Sequence, residues 1–237
     1  MPLLRTLCAL FALSLAAQAH ARPMVTFTCP IPSSLPQWQS LTEVFTEAFD
    51  RLGYDFAMVY LHTKRELFSH KNTDDYDGLC VRLQSFNQEA ADYNLLFINA
   101  PVGDPYTSLW RNKASTPATD SGQPITLQPN TQAGFLRGSS LSEKYINSFP
   151  AVTAISFLRP DQGLKTLAAG RIDYWIGFGY TSDYLAARLN LGDTIEKVAD
   201  IRQDFLYPFL NKKHVELKQP LEQEIDRIMA ERGTVIR

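Results

Sequence analysis

The sequence predicts an α/β fold with mostly parallel sheets that are covered by helices. From residue 25 onwards, short apolar segments alternate with longer segments in which apolar residues recur every three or four positions. This alternation is typical of parallel sheets with helices on their faces. Apolar residues make up 45% of the 237 residues, which is enough for one large domain or for two smaller lobes, each with its own core.

An export signal is predicted at the start of the chain. Arg5 supplies a positive charge, residues 7–17 are an apolar run, and residues 19–21 give the Ala-x-Ala pattern that a signal peptidase recognises. The run is shorter than the roughly 20 residues that a helix needs to cross a bilayer. We therefore expect residues 1–21 to be a signal peptide that is cleaved after about Ala21, and the mature protein to be periplasmic.

The charge balance argues against nucleic acid and membrane surfaces as partners. The formal net charge of the whole chain is −2, and loss of Arg5 with the signal peptide makes it −3. The sequence has no basic run and no helical stripe of Lys and Arg, which such partners require. We therefore expect neither nucleic acid nor a membrane surface as a partner.

Two cysteines, Cys29 and Cys80, remain once the signal peptide is removed. Each lies in a short apolar segment, and the two segments could be neighbouring parallel strands. An even pair in an oxidising compartment predicts a disulfide, which the chain-entropy model makes worth about 4 kcal/mol. Two buried thiols are the alternative.

The elements before residue 100 follow in a clear order. Residues 41–52 present one apolar face at helical spacing, and Ser40 and Glu43 form a capping box at its start. Thr63 and Glu66 repeat the capping pattern and open a second, shorter helix. Four strands are predicted around these helices, at residues 25–29, 56–61, 78–83 and 95–98.

A second α/β run follows a polar segment. Residues 112–130 are rich in Ser, Thr, Pro, Gly and Asn and predict a surface loop. A turn at residues 138–140 leads from a strand into a helix, and the chain ends with a strand near Phe205 and a helix over 217–229. Between the surface loop and this last strand, three further strands are predicted, at residues 133–136, 152–155 and 172–178.

Five short segments together resemble one protein family. They are residues 50–53 (Asp-Arg-Leu-Gly), 76–78 (Tyr-Asp-Gly), 137–140 (Arg-Gly-Ser-Ser), 163–173 and the tail 207–234. In order and spacing they resemble the extracellular solute-binding family 3, the type II periplasmic binding proteins best known from amino-acid uptake, over nearly the whole mature chain. The resemblance implies two lobes joined by two crossing strands, with the ligand in the cleft between the lobes.

The resemblance also implies where the lobes divide. Residues 22–102 together with 204–237 are expected to form lobe 1, and residues 103–203 lobe 2. The two crossings are expected near residues 98–106 and 201–205.

Polar contacts to a small anionic ligand can be assigned on this fold. Ser139 and Ser140 open a predicted helix, whose free amides and hydroxyls suit a carboxylate; an ordinary capped helix start is the alternative. Arg82 ends a buried strand whose carboxyl end should point to the cleft, and its alternative is a salt bridge to a neighbouring acid. Arg65 lies in the first turn of a helix, where the helix dipole disfavours a cation. Its position therefore indicates some other use, and we count it as a candidate ligand contact. Arg137 is a further candidate, with an acid outside the cleft as its alternative partner.

Aromatic residues are the second kind of candidate contact. Trp38 is placed in the loop between the first strand and the first helix, where the resemblance implies ligand-stacking aromatics; packing within the lobe is the alternative. Phe178 ends the strand at 172–178 and is expected to face the cleft, and Tyr180 and Trp110 are weaker candidates.

Two departures from the family pattern bear on the ligand. The arginine that binds an amino acid's carboxylate in the family is missing from residues 84–89, and the acid expected five residues after Asp173 is replaced by Phe178. A buried ammonium group without that acid would lose a charge-assisted hydrogen bond worth a few kcal/mol. An ordinary α-amino acid is therefore a less favoured ligand.

These observations predict a monomeric periplasmic binding protein that captures a small-molecule solute, polar or anionic, amino-acid-like or a carboxylate, for an ABC transporter and its membrane permease. The first alternative is a sensory or accessory component that reports to a membrane sensor protein. A periplasmic enzyme on the same fold, of the dehydratase kind, is less favoured.

Catalytic and metal-binding patterns are missing from the sequence. It contains no nucleophile elbow, no P-loop and no dinucleotide fingerprint. His62, His70 and His214 are dispersed and lack the spacing of a zinc site. We expect no enzymatic activity, no cofactor and no metal.

Overall fold

The computed structural model describes residues 21–114, 126–233 and 236. The predicted signal peptide lies outside the described residues except for Ala21, as does most of the predicted loop at 112–130. Among the described helices, none combines the length and the hydropathy needed to span a membrane.

The elements before residue 115 alternate as predicted. They are β1 Met24–Cys29, α1 Pro36–Arg51, β2 Asp55–Tyr60, α2 Thr63–Asn72, β3 Gly78–Leu83, β4 Leu95–Phe97 and β5 Tyr106–Asn112. Two short 3-10 helices, Gln84–Gln88 and Ala90–Tyr93, connect β3 to β4.

The elements after residue 125 form a second run of the same kind. They are β6 Thr131–Leu136, α3 Ser140–Asn147, β7 Val152–Phe157, α4 Pro160–Ala168, β8 Tyr174–Phe178, α5 Gly179–Arg188, β9 Ile195–Gln203, β10 Leu206–Asn211 and α6 Lys218–Arg232. A 3-10 helix, Lys212–Leu217, lies between β10 and α6.

Two five-stranded sheets organise these elements into two lobes. The first sheet has the order β2-β1-β3-β10-β4, and the second has the order β7-β6-β8-β5-β9. Four strands of each sheet run in the same direction, while β10 in the first and β5 in the second run antiparallel to both of their neighbours. The predicted two-lobed α/β fold is thus confirmed. We call the first sheet with its helices the first lobe, and the second sheet with its helices the second lobe.

The disulfide between Cys29 and Cys80 is confirmed. Strands β1 and β3 are parallel neighbours in which Thr28 lies beside Leu79, so the next residue of each strand is a cysteine. Their Cα atoms are 5.1 Å apart and both side chains are buried. The bond therefore joins the last residue of β1 to the third residue of β3.

The first helix begins four residues before the predicted capping box. Pro36 occupies its first position, where the missing backbone N–H costs nothing, and Leu35 is the N-cap. The Ser40 hydroxyl donates to the backbone oxygen of Pro36 within the helix, so the predicted cap is wrong. Trp38 consequently lies in the first turn of α1 and not in the preceding loop.

The second predicted capping box is also wrong. Helix α2 begins at Thr63 with His62 as its N-cap, and no side chain among the described residues caps it. Glu66 is completely buried and forms an ion pair with Arg82 instead. The carboxylate therefore points under the helix towards the sheet.

The chain crosses between the lobes twice, at residues 98–105 and at 204–205, and we call these stretches the crossing segments. Backbone hydrogen bonds hold them side by side, from Leu206 to Gly103 at 2.8 Å and from Asp204 to Pro105 at 3.1 Å. Ile236 covers the first crossing segment and accepts a hydrogen bond from the backbone N–H of Asp104 at 2.8 Å. A Cβ at Gly103 would lie 2.7 Å from the Cβ of Ile236, so only glycine fits there without rearrangement.

Candidate functional site

A cavity of about 550 Å³ lies between the two lobes, beside the crossing segments. The first lobe contributes the end of β3 and the following 3-10 helix, the second lobe contributes α3 and the end of β9, and the second crossing segment closes one side. The lining residues are Leu83, Gln84, Ser85, Asn87, Gln88, Leu141, Arg202, Gln203, Asp204 and Phe205. An occupant would therefore touch both lobes at once, which is the geometry that couples binding to lobe closure.

The lining is mainly neutral and hydrogen-bonding. Gln84, Asn87, Gln88 and Gln203 present amide groups, each with two donors and an acceptor, and Ser85 adds a hydroxyl. Such groups bind polar solutes through directional hydrogen bonds without fixing the charge of the solute.

The two charged lining residues pair with each other. Arg202 Nε donates to Asp204 Oδ1 at 2.7 Å. The arginine side chain is 63% exposed, whereas that of the aspartate is only 8% exposed. The cavity thus combines one buried carboxylate with one largely solvated guanidinium.

The lobes also touch away from the cavity. Tyr184 of α5 packs against the cores of both lobes, and Tyr180 packs against the core of the first lobe. A Cβ placed on Gly138 would lie 3.9 Å from Thr63 Cγ2, in ordinary van der Waals contact. The structure therefore has the two lobes in contact around the cavity.

Ser139 and Ser140 lie at the edge of this site. Ser139 is the N-cap of α3, its hydroxyl lies 2.9 Å from that of Ser142, and Leu141 lines the cavity directly after the two serines. Gly138 has a φ of +92°, a conformation that glycine adopts readily and that turns the chain into the helix. The first amides of α3 consequently lie next to the cavity.

Arg65 and Arg137 flank the contact between Thr63 and Gly138. Both side chains are exposed, and neither has a hydrogen-bond or ion-pair partner in the part of the chain that the structure describes. They are therefore able to attract an anion at the edge of the cleft. Direct contact of either with a ligand stays a prediction.

Arg82 directly precedes Leu83 in the chain but is not itself among the residues that line the cavity. It forms an ion pair with the buried carboxylate of Glu66 and lies over the ring of Phe86, 5.8 Å from the centroid. The salt bridge that the sequence left open as an alternative is thus present. Because that carboxylate already holds the guanidinium, contact between Arg82 and a ligand stays a prediction.

A buried polar cluster surrounds this ion pair beneath α2. Thr28 Oγ1 and His70 Nε2 are 2.9 Å apart, and both side chains are buried beside Glu66 and Arg82. Burial raises the pKa of the Glu66 carboxyl, against the opposing effect of Arg82. Burial, assisted by the positive charge of Arg82, lowers the pKa of His70 to about 4. His70 is therefore neutral at ordinary pH.

All four aromatic candidates, Trp38, Phe178, Tyr180 and Trp110, lie outside the cavity lining. Trp38 packs against the core of the first lobe and borders a separate surface groove that ends at Arg232. Phe178 stacks on Tyr180 with the ring centroids 5.6 Å apart. Burial raises the pKa of the Tyr180 phenol to about 12, so this hydroxyl stays protonated at the lobe interface.

Sequence reasoning missed most of the residues that line the cavity. Residues 84–89 were noted only for their missing arginine, although their run of amide side chains is the signal that could have found them. Gln203 ends β9 and Asp204 follows it; the resemblance places both near a lobe crossing, but the sequence assigns neither to the ligand.

Comparison with known proteins bears on the fold. No protein-family model matches the sequence, and no curated protein matches it either. Among solved structures, a mutant of ArgBP from T. maritima aligns with a TM-score of 0.66 at 13% identity, covering 90% of this chain and 91% of that one. This fold is that of the type II periplasmic binding proteins. The VFT2 domain of Bordetella pertussis BvgS, in a double mutant, shares this type II fold with a TM-score of 0.67 at 12% identity, covering 92% and 94% of the two chains.

A third similar structure is a ligand-binding core with its ligand bound. The GluR0 ligand-binding core from Nostoc punctiforme, in complex with L-glutamate, aligns with a TM-score of 0.66 at 15% identity, covering 90% of this chain and 95% of that one. All three similarities are below the identity at which function can be transferred. They establish the type II periplasmic binding fold and leave the ligand to be argued from the cavity.

Proposed function

We propose that the protein is a periplasmic solute-binding protein that captures a small polar solute, amino-acid-like or a carboxylate, in the cavity between its lobes. The observation that carries this proposal is that both lobes and a crossing segment line one cavity of about 550 Å³. A solute that touches both lobes stabilises the closed arrangement, which is how such a fold converts binding into a conformational signal. Delivery to an ABC transporter and its permease is the proposed use.

Two observations support this proposal. Among the similar solved structures, one of ArgBP is arginine-bound, and the GluR0 ligand-binding core is in complex with L-glutamate. The disulfide between Cys29 and Cys80 fits an oxidising compartment, and therefore fits export and a periplasmic location. In the proposal the lobes keep the boundaries expected from the sequence, with residues 22–102 and 204–237 in lobe 1 and residues 103–203 in lobe 2.

An anionic group of the solute would bind at the edge of the cavity. Ser139 and Ser140 offer hydroxyls and the amides at the start of α3, and a helix N-terminus favours negative charge. Arg65 and Arg137 add positive charge beside it, on opposite lobes. We propose these four residues as contacts for a carboxylate, with Arg82, Trp38 and Phe178 supporting the cleft.

A sensory role is the second candidate function. It is favoured by the contacts of Tyr180 and Tyr184 with the first lobe, which join the lobes through groups of the chain itself. A histidine kinase sensor domain with similarity to periplasmic binding proteins also aligns, with a TM-score of 0.66 at 13% identity over 90% of this chain and 93% of that one. In this role the partner would be a membrane sensor protein. In both roles we propose binding rather than catalysis.

A thermal-shift screen tests the proposed function. The mature protein is heated with amino acids, dicarboxylates, polyamines and sugars, and a solute at a hundred times its Kd should add about 2.7 kcal/mol of stability. Gln84→Ala with Gln88→Ala removes two exposed amides of the cavity and should abolish the shift. Gln219→Ala, an exposed amide on α6, is the matched control and should leave the shift unchanged. Absence of any shift across the screen would refute solute binding.

A further inference from the structure

The 3-10 helix Gln84–Gln88 forms the wall of the cavity on the side of the first lobe, and one of its residues does not line the cavity. That residue is Phe86, which packs against an apolar cluster of the first lobe. Phe86 is half-buried, whereas the other four residues of the helix are exposed. The phenylalanine therefore attaches this wall of the cavity to the lobe.

The four lining side chains of the helix do not hold it in place. They are Gln84, Ser85, Asn87 and Gln88. Their side chains make no hydrogen bond or ion pair with another residue of the described ranges, and no side chain caps the helix. Their amide and hydroxyl groups are consequently available to a solute, and their positions follow from the backbone of the helix.

Two aromatic rings and a guanidinium contact the ring of Phe86. The ring of Phe209 lies edge to face with it, with the centroids 5.1 Å apart, and the ring of Tyr93 lies 5.6 Å away. The guanidinium carbon of Arg82 lies 5.8 Å from the Phe86 centroid, which is within the range of a cation–π interaction. These contacts fix the one anchor of the helix.

The guanidinium of Arg82 is itself held in place. It forms an ion pair with Glu66 of α2, which is completely buried, and its Nη1 donates to the backbone oxygen of Val81 at 3.3 Å. The Arg82 side chain is 12% exposed, so solvent screens this pair little. Contacts from Glu66 to Arg82 and from Arg82 to Phe86 thus connect α2 to the wall of the cavity.

We propose that Arg82 and Phe86 are positioning residues of the solute site: Glu66 holds the Arg82 guanidinium against Phe86, and Phe86 fixes the 3-10 helix whose amides bind the solute. This inference rests on the proposed function. Hydrogen bonds weaken steeply when donor and acceptor are displaced, and ordering a mobile wall on binding costs affinity. A looser helix should therefore bind a solute less tightly although all four lining side chains are still present.

Phe97 provides a matched control. It packs against the same apolar cluster, is half-buried like Phe86, and lies 5.5 Å from the ring of Phe209. It belongs to β4, however, and the described cavity lining does not include it. Substitution of either phenylalanine by leucine removes a ring from one cluster, so both variants should lose global stability, whereas only Phe86→Leu should loosen the 3-10 helix.

The first measurement is amide hydrogen exchange of residues 84–89 in the mature protein without added solute. Phe86→Leu should raise the exchange rate of this segment by about tenfold or more, because the helix then opens locally, and Phe97→Leu should change it by less than about twofold. Arg82→Lys keeps a positive charge beside Glu66 but lacks the flat guanidinium surface, so it should also raise the rate. Arg82→Met with Glu66→Gln removes both charges together, leaves neither buried alone, and replaces Arg82→Lys if that variant fails to fold.

The second measurement is the affinity of the same variants. They are titrated by calorimetry with L-arginine, L-glutamate and succinate, and with each solute that stabilises the unmodified protein in the thermal-shift screen. We expect Phe86→Leu to weaken binding by about tenfold and Phe97→Leu by less than about twofold. Arg82→Lys should weaken binding in proportion to its effect on exchange.

The outcomes separate this inference from the proposed function. Unchanged exchange of residues 84–89 in Phe86→Leu and in the Arg82 variant, or faster exchange with unchanged affinity, would overturn the positioning role and leave solute binding intact. An equal effect of Phe97→Leu on exchange and affinity would also overturn it, because the two rings would then act only through global stability. No binding of any solute by the unmodified protein would overturn both.

Discussion

The phenol of Tyr184 donates a hydrogen bond to the backbone oxygen of Ser34, 3.5 Å away in the other lobe. The tyrosine ring also packs against the apolar cores of both lobes, and Tyr180, one helical turn earlier, packs against the first lobe. Closure of the cleft is therefore favoured by contacts within the chain, in addition to any contact that a solute makes.

Removal of these contacts should open the lobes. We expect Tyr180→Ala with Tyr184→Ala to increase the radius of gyration in small-angle X-ray scattering, because two aromatic contacts between the lobes are lost. Tyr145→Ala is the control, since this tyrosine packs beside Phe149 within the second lobe. A double variant as compact as the unmodified protein would show that these tyrosines do not hold the cleft closed.

Much of the first lobe could be predicted from sequence, because its signals are local. The strands that contain Cys29 and Cys80 are short apolar segments bounded by turn residues. Because the two strands could be predicted to lie side by side, the disulfide could be predicted too. Strand β9 could not be predicted, because it is an edge strand whose charged residues interrupt the apolar pattern. The resemblance did place a lobe crossing at residues 201–205, but it gave no reason to assign Gln203 or Asp204 to the cavity.

The candidate site was harder to predict than the fold. Arg82 was assigned to the ligand because a strand end should face the cleft, but its partner Glu66 lies 16 residues away and was interpreted as a helix cap. Sequence spacing does not show whether an acid caps its own helix or forms an ion pair with an arginine of a neighbouring strand. The 3-10 helix Gln84–Gln88 has no apolar period, so its position at the cavity became visible only in three dimensions.

The disulfide should make a large contribution to stability. It closes a loop between residues separated by 51 positions, and loss of that constraint should lower the free energy of unfolding by about 4 kcal/mol. Cys29→Ser with Cys80→Ser, compared with the unmodified protein in urea unfolding, measures the effect. Reducing agent should destabilise the unmodified protein and have no effect on the variant. Equal sensitivity of both proteins would contradict the prediction.

Protonation of His70 should destabilise the protein in mild acid. Its pKa is about 4 in the folded protein, against 6.5 as the ordinary value, so the unfolded chain binds more protons between these limits. The free energy of unfolding should therefore fall as the pH decreases from about 6.5 to about 4, by up to about 3 kcal/mol from this residue.

The comparison variant for this effect is His70→Gln. Glutamine keeps a hydrogen-bonding group near Thr28 but does not titrate, so the difference in stability between the two proteins should shrink or reverse as the pH falls. His62→Gln, at the more exposed N-cap of α2, controls for loss of a histidine as such. A pH profile that is identical in the unmodified protein and in His70→Gln would refute the assignment.

Gly103 should be intolerant of any side chain because Ile236 occupies the space. A Cβ at this position would lie 2.7 Å from the Cβ of Ile236, and overpacking of this kind typically costs about 1–3 kcal/mol. We expect Gly103→Ala to lower the free energy of unfolding by that amount. Gly192→Ala, where an added Cβ meets no atom within 4 Å, should have a much smaller effect.

The contact between Gly103 and Ile236 can be isolated by a double-mutant cycle in urea unfolding. Ile236→Ala shortens the side chain, and its partial relief of the clash should make the double variant more stable than the sum of the two single effects predicts. The backbone oxygen of Ile236 also accepts a hydrogen bond from the backbone N–H of Asp104, so Ile236 fixes the first crossing segment as well. Strictly additive effects would mean that the side-chain atoms of Ile236 beyond its Cβ do not add to the constraint on Gly103.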